Sequence, residues 1–500
     1  MNDMQGLPSP LRGRLSGLAL PCPAPLPVRR APRAPAGVFD KRMASLAQAL
    51  DRFGLVDGQV ISFHHHYRNG DRVIEPVLQA ARARGVRGLT LAASSLFPCH
   101  AELVPFLQDG TVTHVVTDYM CGPLADAVQA GQLAGTAVLQ SHGARARAIA
   151  SGALEVDIAF VAAPLAHAGG DTTGRGGRLA CGPLGYPAVD AAYARATVVL
   201  ADEITNHPLA LVDIPGPFVD AVLHFPDPGA PEGIASGTTV PLDTPAARAI
   251  GDLTARIIAA SGLMRPGMSL QSGAGGYSLG AVPIIGRAMA DSGVSGGFLS
   301  GGITGAHVAL LDTGRFAEIL DVQCFDRQAV ASSIRNPAHR MMTAEEYASP
   351  LHPTPVVDRL DVMLLGAVEV DHAFNVNVAA SAAGRILGGP GGHPDTAQGA
   401  KLSIVTTTLQ GGGQPKVVPQ VYCITTEGCD VDVVVTDRGF AVNPRRDDLR
   451  AALRPLSDLM LAIEELSDLA AEGLPPAPAS GPRKGHVLIE HRLGHRLGVI

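Results

Sequence analysis

The sequence predicts an α/β protein of two homologous halves, each a mostly parallel sheet flanked by helices. Three observations carry this prediction. A strand–turn–helix–strand order appears near residue 60, it recurs about 205 residues later, and Gly-rich turns stand where the predicted strands end.

In the first half, an apolar stripe of Ala44, Leu46, Ala47, Leu50 and Phe53 predicts a helix over 39–55, stopped by Gly54 and the Asp57-Gly58 pair. A short apolar strand over 60–63 follows, then the polar turn HHHYRNG, a helix over 72–84 and a strand over 89–93. The second half repeats this order: strand 268–271, turn SGAGG, helix 279–291 and strand 297–299. The echo continues. Segment 103–119 matches 307–326, segment 156–161 matches 360–365, and segment 196–201 matches 402–406. Four matched units in one order predict a duplication. A helix is expected over 447–469 and a small hairpin, or a tail that pairs with a partner, over 487–500.

The domain layout follows from this punctuation. Residues 1–37 are Pro- and Arg-rich and read as a disordered arm, too broken by Pro for a signal-peptide core. Residues 38–237 and 238–472 are the two α/β domains, joined near PDPGAPEG, and 473–500 are a linker and C-terminal hairpin or tail. With 46% hydrophobic residues in 500, the chain carries more apolar material than one core absorbs.

Composition also excludes functions. A net charge of −7 leaves no basic field to follow a phosphate backbone, so nucleic acid is not an expected partner. No apolar run reaches the roughly 20 residues that span a bilayer, so no membrane partner is expected. The seven Cys are scattered without C-x2-C spacing, which fits a reducing cytoplasm and predicts no metal site.

The turns carry the chemistry. A Gly-rich turn between strand and helix lets backbone N–H groups and a helix N-terminus face an anion or a developing oxyanion. Ser272, Gly273, Gly275 and Gly276 form one such turn, Gly301 and Gly302 a second, and Gly391, Gly392 and His393 a third. The other reading of each is simple chain reversal. In the first half the corresponding turn holds His64, His65 and His66, with Arg68, Asn69 and Arg72 beside them. In extended backbone His64 and His66 share a side. A cationic loop of this kind suits an anionic or acyl substrate. A structural surface loop and a metal site with remote carboxylates are its alternatives. Glu369 and Asp371 are candidate bases or turn-capping carboxylates, His142 is a further candidate, and Cys99-His100 is the one pair that invites a Cys–His reading.

The run ISFHHHYRNGDRVI (61–74) is very similar to a signature of the citrate lyase alpha subunit. Further segments resemble that family in order: SHGARARAIASGALEVDIAF (141–160), CGPLGYPAVDAAYA (181–194), SLQSGAGGYSL (269–279), GGITGAHVALLDTGRFAEILDVQCFD (301–326), EVDHAFNVNV (369–378), GGPGGHPDTAQGAKLSI (388–404) and VDVVVTDRGFAVNP (431–444). The resemblance covers about residues 41–450. GGHPDTAQGAKLSIV also resembles the GGAMDLVxGAKKVIV run of beta-type CoA-transferase halves, which makes the two halves CoA-transferase-like.

The resemblance implies a citrate CoA-transferase. Citrate displaces acetate from an acetyl-carrier thioester, giving citryl thioester and free acetate. The implied partners are a beta subunit that cleaves the citryl group and a gamma subunit that is the acyl carrier, in a hetero-oligomer. The CoA-type prosthetic group sits on the carrier and none is bound covalently to this chain; CoA or acetyl-CoA is the free equivalent. One departure bears on mechanism. Many CoA-transferases use the Glu of a Ser-Glu-Asn-Gly run, whereas residues 299–304 here read LSGGIT, without a carboxylate. Direct attack by a citrate carboxylate, through a mixed anhydride, is the implied alternative. Arg68 and Arg72 are then the cationic clamps, His64 or His66 the donors, and Gly391-Gly392 or the histidine loop the oxyanion site. A related transferase using free CoA or citramalate, and a non-catalytic homologue binding CoA-like ligands, are the rival readings.

Overall fold

Strand Val60–His64 is almost wholly buried and lies at the centre of its sheet, as an apolar strand covered on both faces must. It belongs to a computed structural model that describes residues 40–64, 66–235, 239–474 and 487–500. The arm predicted over 1–37, His65 and most of the linker lie outside the described residues.

Two sheets organise these residues. The first runs Arg42–Met43, Ala221–His224, Ala196–Thr205, Ile158–His167, Val60–His64, Leu89–Ala93, Val112–Thr117, Ala137–Gln140, then the hairpin Val487–Glu490 and Arg496–Val499. The second runs Phe440–Val442, Val433–Val435, Leu402–Thr406, Val362–Gly366, Leu270–Ser272, Gly296–Ile303, Phe316–Cys324 and His339–Met341. Seven strands of each sheet follow one order, Ala221–His224 through Ala137–Gln140 in the first and Val433–Val435 through His339–Met341 in the second. The pairs matched by sequence, 60–63 with 268–271 and 156–161 with 360–365, occupy the same places. Apart from the edge strand Arg42–Met43, the first strand of each half is central, later strands add on one side, and the chain then crosses to the other. The neighbours of Val60–His64 and of Leu270–Ser272 are parallel to it on both sides. Such a reversal of strand order opens a crevice at the C-terminal ends of the central strands.

Local chemistry sets the boundaries. The helix expected over 39–55 is Leu46–Phe53 among the described residues. Ser45 caps it by accepting from the Gln48 N–H, and Gly54 ends it in the left-handed region at φ 66°. Arg42–Met43 is instead a strand paired with Ala221–His224. The helix expected over 447–469 is broken into Asp447–Ala452, the 3-10 turn Arg454–Leu459 and Ile463–Ala471. Pro455 lacks the N–H that a continuous helix would need there.

The C-terminal hairpin completes the first sheet. Val487–Glu490 pairs in parallel with Ala137–Gln140 and covers its edge. The turn that follows places Arg492, fully buried, against the second half: Nε donates to Gln398 at 2.8 Å and Nη2 to Asp358 at 2.7 Å. No helix among the described residues is long and apolar enough to cross a membrane.

Candidate active site

The crevice at the two reversal points is a cavity of about 440 Å³ walled by both halves. His64 ends the first central strand and Ser272 the second, and both line it. The His64 ring stacks on Tyr186 with centroids 4.6 Å apart, and His66 packs at 4.4 Å from it. His66 is buried and is not on the cavity wall.

Arg68 reaches the cavity from a non-Gly residue at φ 54°, the left-handed region. Its guanidinium carbon lies 5.2 Å from the Phe97 ring centroid and 4.4 Å from that of Phe325, one ring from each half. Burial holds its pKa down at about 10, still charged at neutral pH. Asn69 and Arg72 are exposed and not on the wall; Asn69 accepts from the Cys99 N–H, and Arg72 N–H donates to the Pro228 carbonyl.

The second half supplies the turn before helix Gly276–Asp291. Ser272, Gly273 and Gly275 line the cavity, while Gly276 begins the helix and packs on Leu242. Ser272 Oγ is fixed by His307 Nε2 at 2.9 Å, and His307 Nδ1 accepts from the Thr304 N–H, so Nε2 carries the proton. Gly302 is on the wall; Gly301, at φ 99°, sits on a bulge behind it, against the Gln271 amide. Gly391, Gly392 and His393 are on the wall too. His393 Nε2 donates to the Gly366 carbonyl at 2.9 Å, and Thr426 Oγ donates to Nδ1 at 2.6 Å, which keeps the ring neutral.

The geometry adds groups that the turns did not advertise. His142 reaches the cavity from the start of helix His142–Ser151, with Nδ1 2.8 Å from a carboxylate oxygen of Asp118. Asp118 is fully buried, which raises its pKa. Asp395 ties the halves together behind His142: it accepts from Ser141 Oγ at 2.5 Å and from the Gly143 N–H at 2.8 Å. Burial pushes its pKa up to about 6. Two wall atoms are buried without a hydrogen-bond partner among the described residues, Ser94 Oγ and Gln271 Oε1. A buried polar atom left this way costs about 1–3 kcal/mol unless a ligand or water meets it. The sequence signal for Asp118 and His142 was their place just past apolar strands, Val112–Thr117 and Ala137–Gln140.

The remaining candidates are engaged elsewhere. Glu369 accepts from Asn377 and the Tyr422 N–H, and Asp371 accepts from the Ala373 and Asn375 N–H groups. Cys99 Sγ lies 3.6 Å from His100 Nδ1, but that nitrogen accepts from the Phe97 N–H. Away from the cavity wall, Asp321, Cys324 and His339 come within 4.8 Å of one another, as a buried cluster bonded through the Asp321 carboxylate.

Comparison with known proteins places this geometry. Residues 40–500 match the family model described as citrate lyase, alpha subunit. The citrate lyase alpha chain of Haemophilus influenzae is 38% identical over 430 residues, 86% of each chain. That of Klebsiella pneumoniae is 38% identical over 426 residues, 85% of this chain and 84% of the relative. Among solved structures, a citrate lyase alpha subunit from Streptococcus mutans in complex with citrate superimposes with a TM-score of 0.92 at 37% identity, over 97% of this chain and 95% of that one. A Pseudomonas malonate decarboxylase hetero-tetramer shares the fold at a TM-score of 0.60 and 17% identity, over 87% of each chain.

Proposed function

Since the chain belongs to the citrate lyase alpha-subunit family, we propose that it exchanges acetate for citrate on a thioester by direct attack of citrate, without an enzyme acyl intermediate. One observation carries the mechanism: among the described residues the cavity wall holds a guanidinium, three imidazoles and several hydroxyl and amide groups, but no carboxylate. Two carboxylates behind it, Asp118 and Asp395, are bonded to His142 and to Ser141 and Gly143.

Arg68 binds one substrate carboxylate as a charge-assisted pair, strengthened by its aromatic surroundings. Ser94 Oγ and the N–H groups of the turn before helix Gly276–Asp291 take a second. A citrate carboxylate oxygen attacks the acetyl carbonyl carbon, the C–S bond breaks, and acetyl-citryl anhydride forms. The released sulfur then attacks the citryl carbonyl and expels acetate. The backbone N–H of Gly392 stabilises the oxyanion at each attack, a contribution of roughly 10²–10³ in rate, while the Gly391 N–H is held by the Asp118 carbonyl. Gly391 is at φ 51° and leaves room for a carbonyl oxygen beside His142. The apolar side of the wall, Met363, Leu365, Val368, Val378 and Leu387, suits the arm that presents the thiol. That arm is a CoA-derived group on an acyl-carrier gamma subunit, or free CoA. A citryl-cleaving beta subunit consumes the product in a cytoplasmic hetero-oligomer.

The test mixes the chain with acetyl-carrier or acetyl-CoA and labelled citrate, and follows acetate release and label entering the thioester. Exchange with citrate is expected. Exchange with citramalate in preference would reassign the acid, and no exchange with any short acid would overturn the enzyme reading.

A further inference from the structure

The released thiol needs somewhere to leave its proton. A thiolate set free in a cavity with a largely apolar wall loses its hydration, which favours the protonated form, yet the same sulfur must be deprotonated again to attack the anhydride. We propose that His142, held by Asp118, is a catalytic residue that gives this proton to the sulfur and takes it back. The proposal rests on the acyl-exchange reading above and adds a proton carrier to it.

Four features of the structure support the assignment. His142 is on the wall of the cavity and its side chain is about one-fifth exposed, so substrate can reach it. Its Nδ1 is fixed 2.8 Å from Asp118, which sets the tautomer and leaves Nε2 facing the cavity. Nε2 has no protein hydrogen-bond partner among the described residues, and an ideal Cβ at Gly391 would lie 3.5 Å from it, so the ring points at the Gly391 turn. The backbone of the two groups is also joined, since the His142 N–H donates to the Gly391 carbonyl at 3.0 Å. Proton carrier and oxyanion turn are therefore held in one frame, which general acid–base catalysis requires.

The step balances. The imidazolium, its charge offset by Asp118, donates Nε2–H as the C–S bond breaks and the electron pair goes to sulfur. The anhydride and a neutral thiol remain. Neutral Nε2 removes the S–H proton as sulfur bonds to the citryl carbonyl carbon, the anhydride C–O bond breaks, and acetate leaves with that electron pair. His142 ends as it began, and no oxidant or reductant is consumed. The other titratable groups facing His142 are Tyr186, Tyr347 and Asp395. Burial raises the pKa of both phenols, and Asp395 already accepts two hydrogen bonds. Asp118 acts through the ring and is a positioning residue.

The test measures exchange between acetyl-CoA or acetyl-carrier and labelled citrate in the full chain, across pH, with citrate affinity read separately by calorimetry. In the unaltered protein kcat is expected to fall as pH rises through loss of the imidazolium proton. His142→Gln is expected to lower kcat about 100-fold, to leave citrate affinity within about twofold, and to remove that limb of the profile. His142→Ala is expected to regain part of its rate with added imidazole. His142→Gln with full kcat, an unchanged limb, or His142→Ala that binds citrate but shows no rescue would each overturn the proton role while the exchange reading stands. An unaltered protein that exchanges no acid overturns both.

Discussion

Arg68→Met is expected to stabilise the empty protein while weakening its hold on substrate. Burial lowers the Arg68 pKa well below the usual guanidinium range to about 10, so holding the charge there costs about 3 kcal/mol relative to water. The faces of Phe97 and Phe325, at 5.2 and 4.4 Å, return about 1–2 kcal/mol between them. Methionine fills much of the same space with no charge to desolvate, which leaves a net gain of about 1 kcal/mol in unfolding free energy. Binding moves the other way. A charge-assisted hydrogen bond to a carboxylate is worth about 1.5–3 kcal/mol, so citrate affinity should fall roughly tenfold to a hundredfold. Urea unfolding without ligand reads the first effect and calorimetric titration with citrate the second. A variant that is less stable by more than about 1 kcal/mol, yet binds citrate as before, would refute both the burial cost and the clamp.

Two further predictions concern stability. His307 is fully buried; burial, with a smaller push from the charge of His339, lowers its pKa to about 4. A depressed histidine contributes stability that is complete above the unfolded value near 6.5 and is lost as pH falls toward 4. His307 alone should therefore take about 3 kcal/mol from the unfolding free energy across that window, and His307→Gln should remove that share of the dependence in urea titrations at each pH, leaving the share of His393, which burial lowers to about 4 as well. Arg492→Met leaves Asp358 buried without its partner and should cost about 3–5 kcal/mol. The double variant Arg492→Met, Asp358→Leu should recover much of that loss, and a double variant no better than the single would show that the pair is not what holds the hairpin.

The halves were legible because their signal is local. Apolar strand, Gly or polar turn and amphipathic helix follow one another within about thirty residues, and the order repeats, so the central strands and the turns after them could be placed without contacts. His64, Ser272 and Gly391 reach the cavity for that reason. Arg72 does not, because the 3-10 turn Arg68–Gly70 re-aims the chain before helix Ile74–Ala83, and a reversal of that kind has no sequence period. His66 shares a side with His64 only in extended backbone, and the strand has ended at His64. The groups that arrange the site pair over long separations. Asp118 and His142 are 24 residues apart, Ser141 and Asp395 are 254 apart, and Arg492 meets Asp358 across 134. No local pattern encodes such pairs, although each of the first two sits next to the end of a parallel strand.

Oxygen bookkeeping in a single turnover tests direct attack most directly. With the protein in excess over acetyl thioester, and citrate carrying heavy oxygen in its carboxylates, the account predicts that the first acetate released contains one citrate-derived oxygen and that the protein stays unlabelled. Unlabelled first-turnover acetate, with the heavy oxygen recovered in a protein carboxylate, would contradict it.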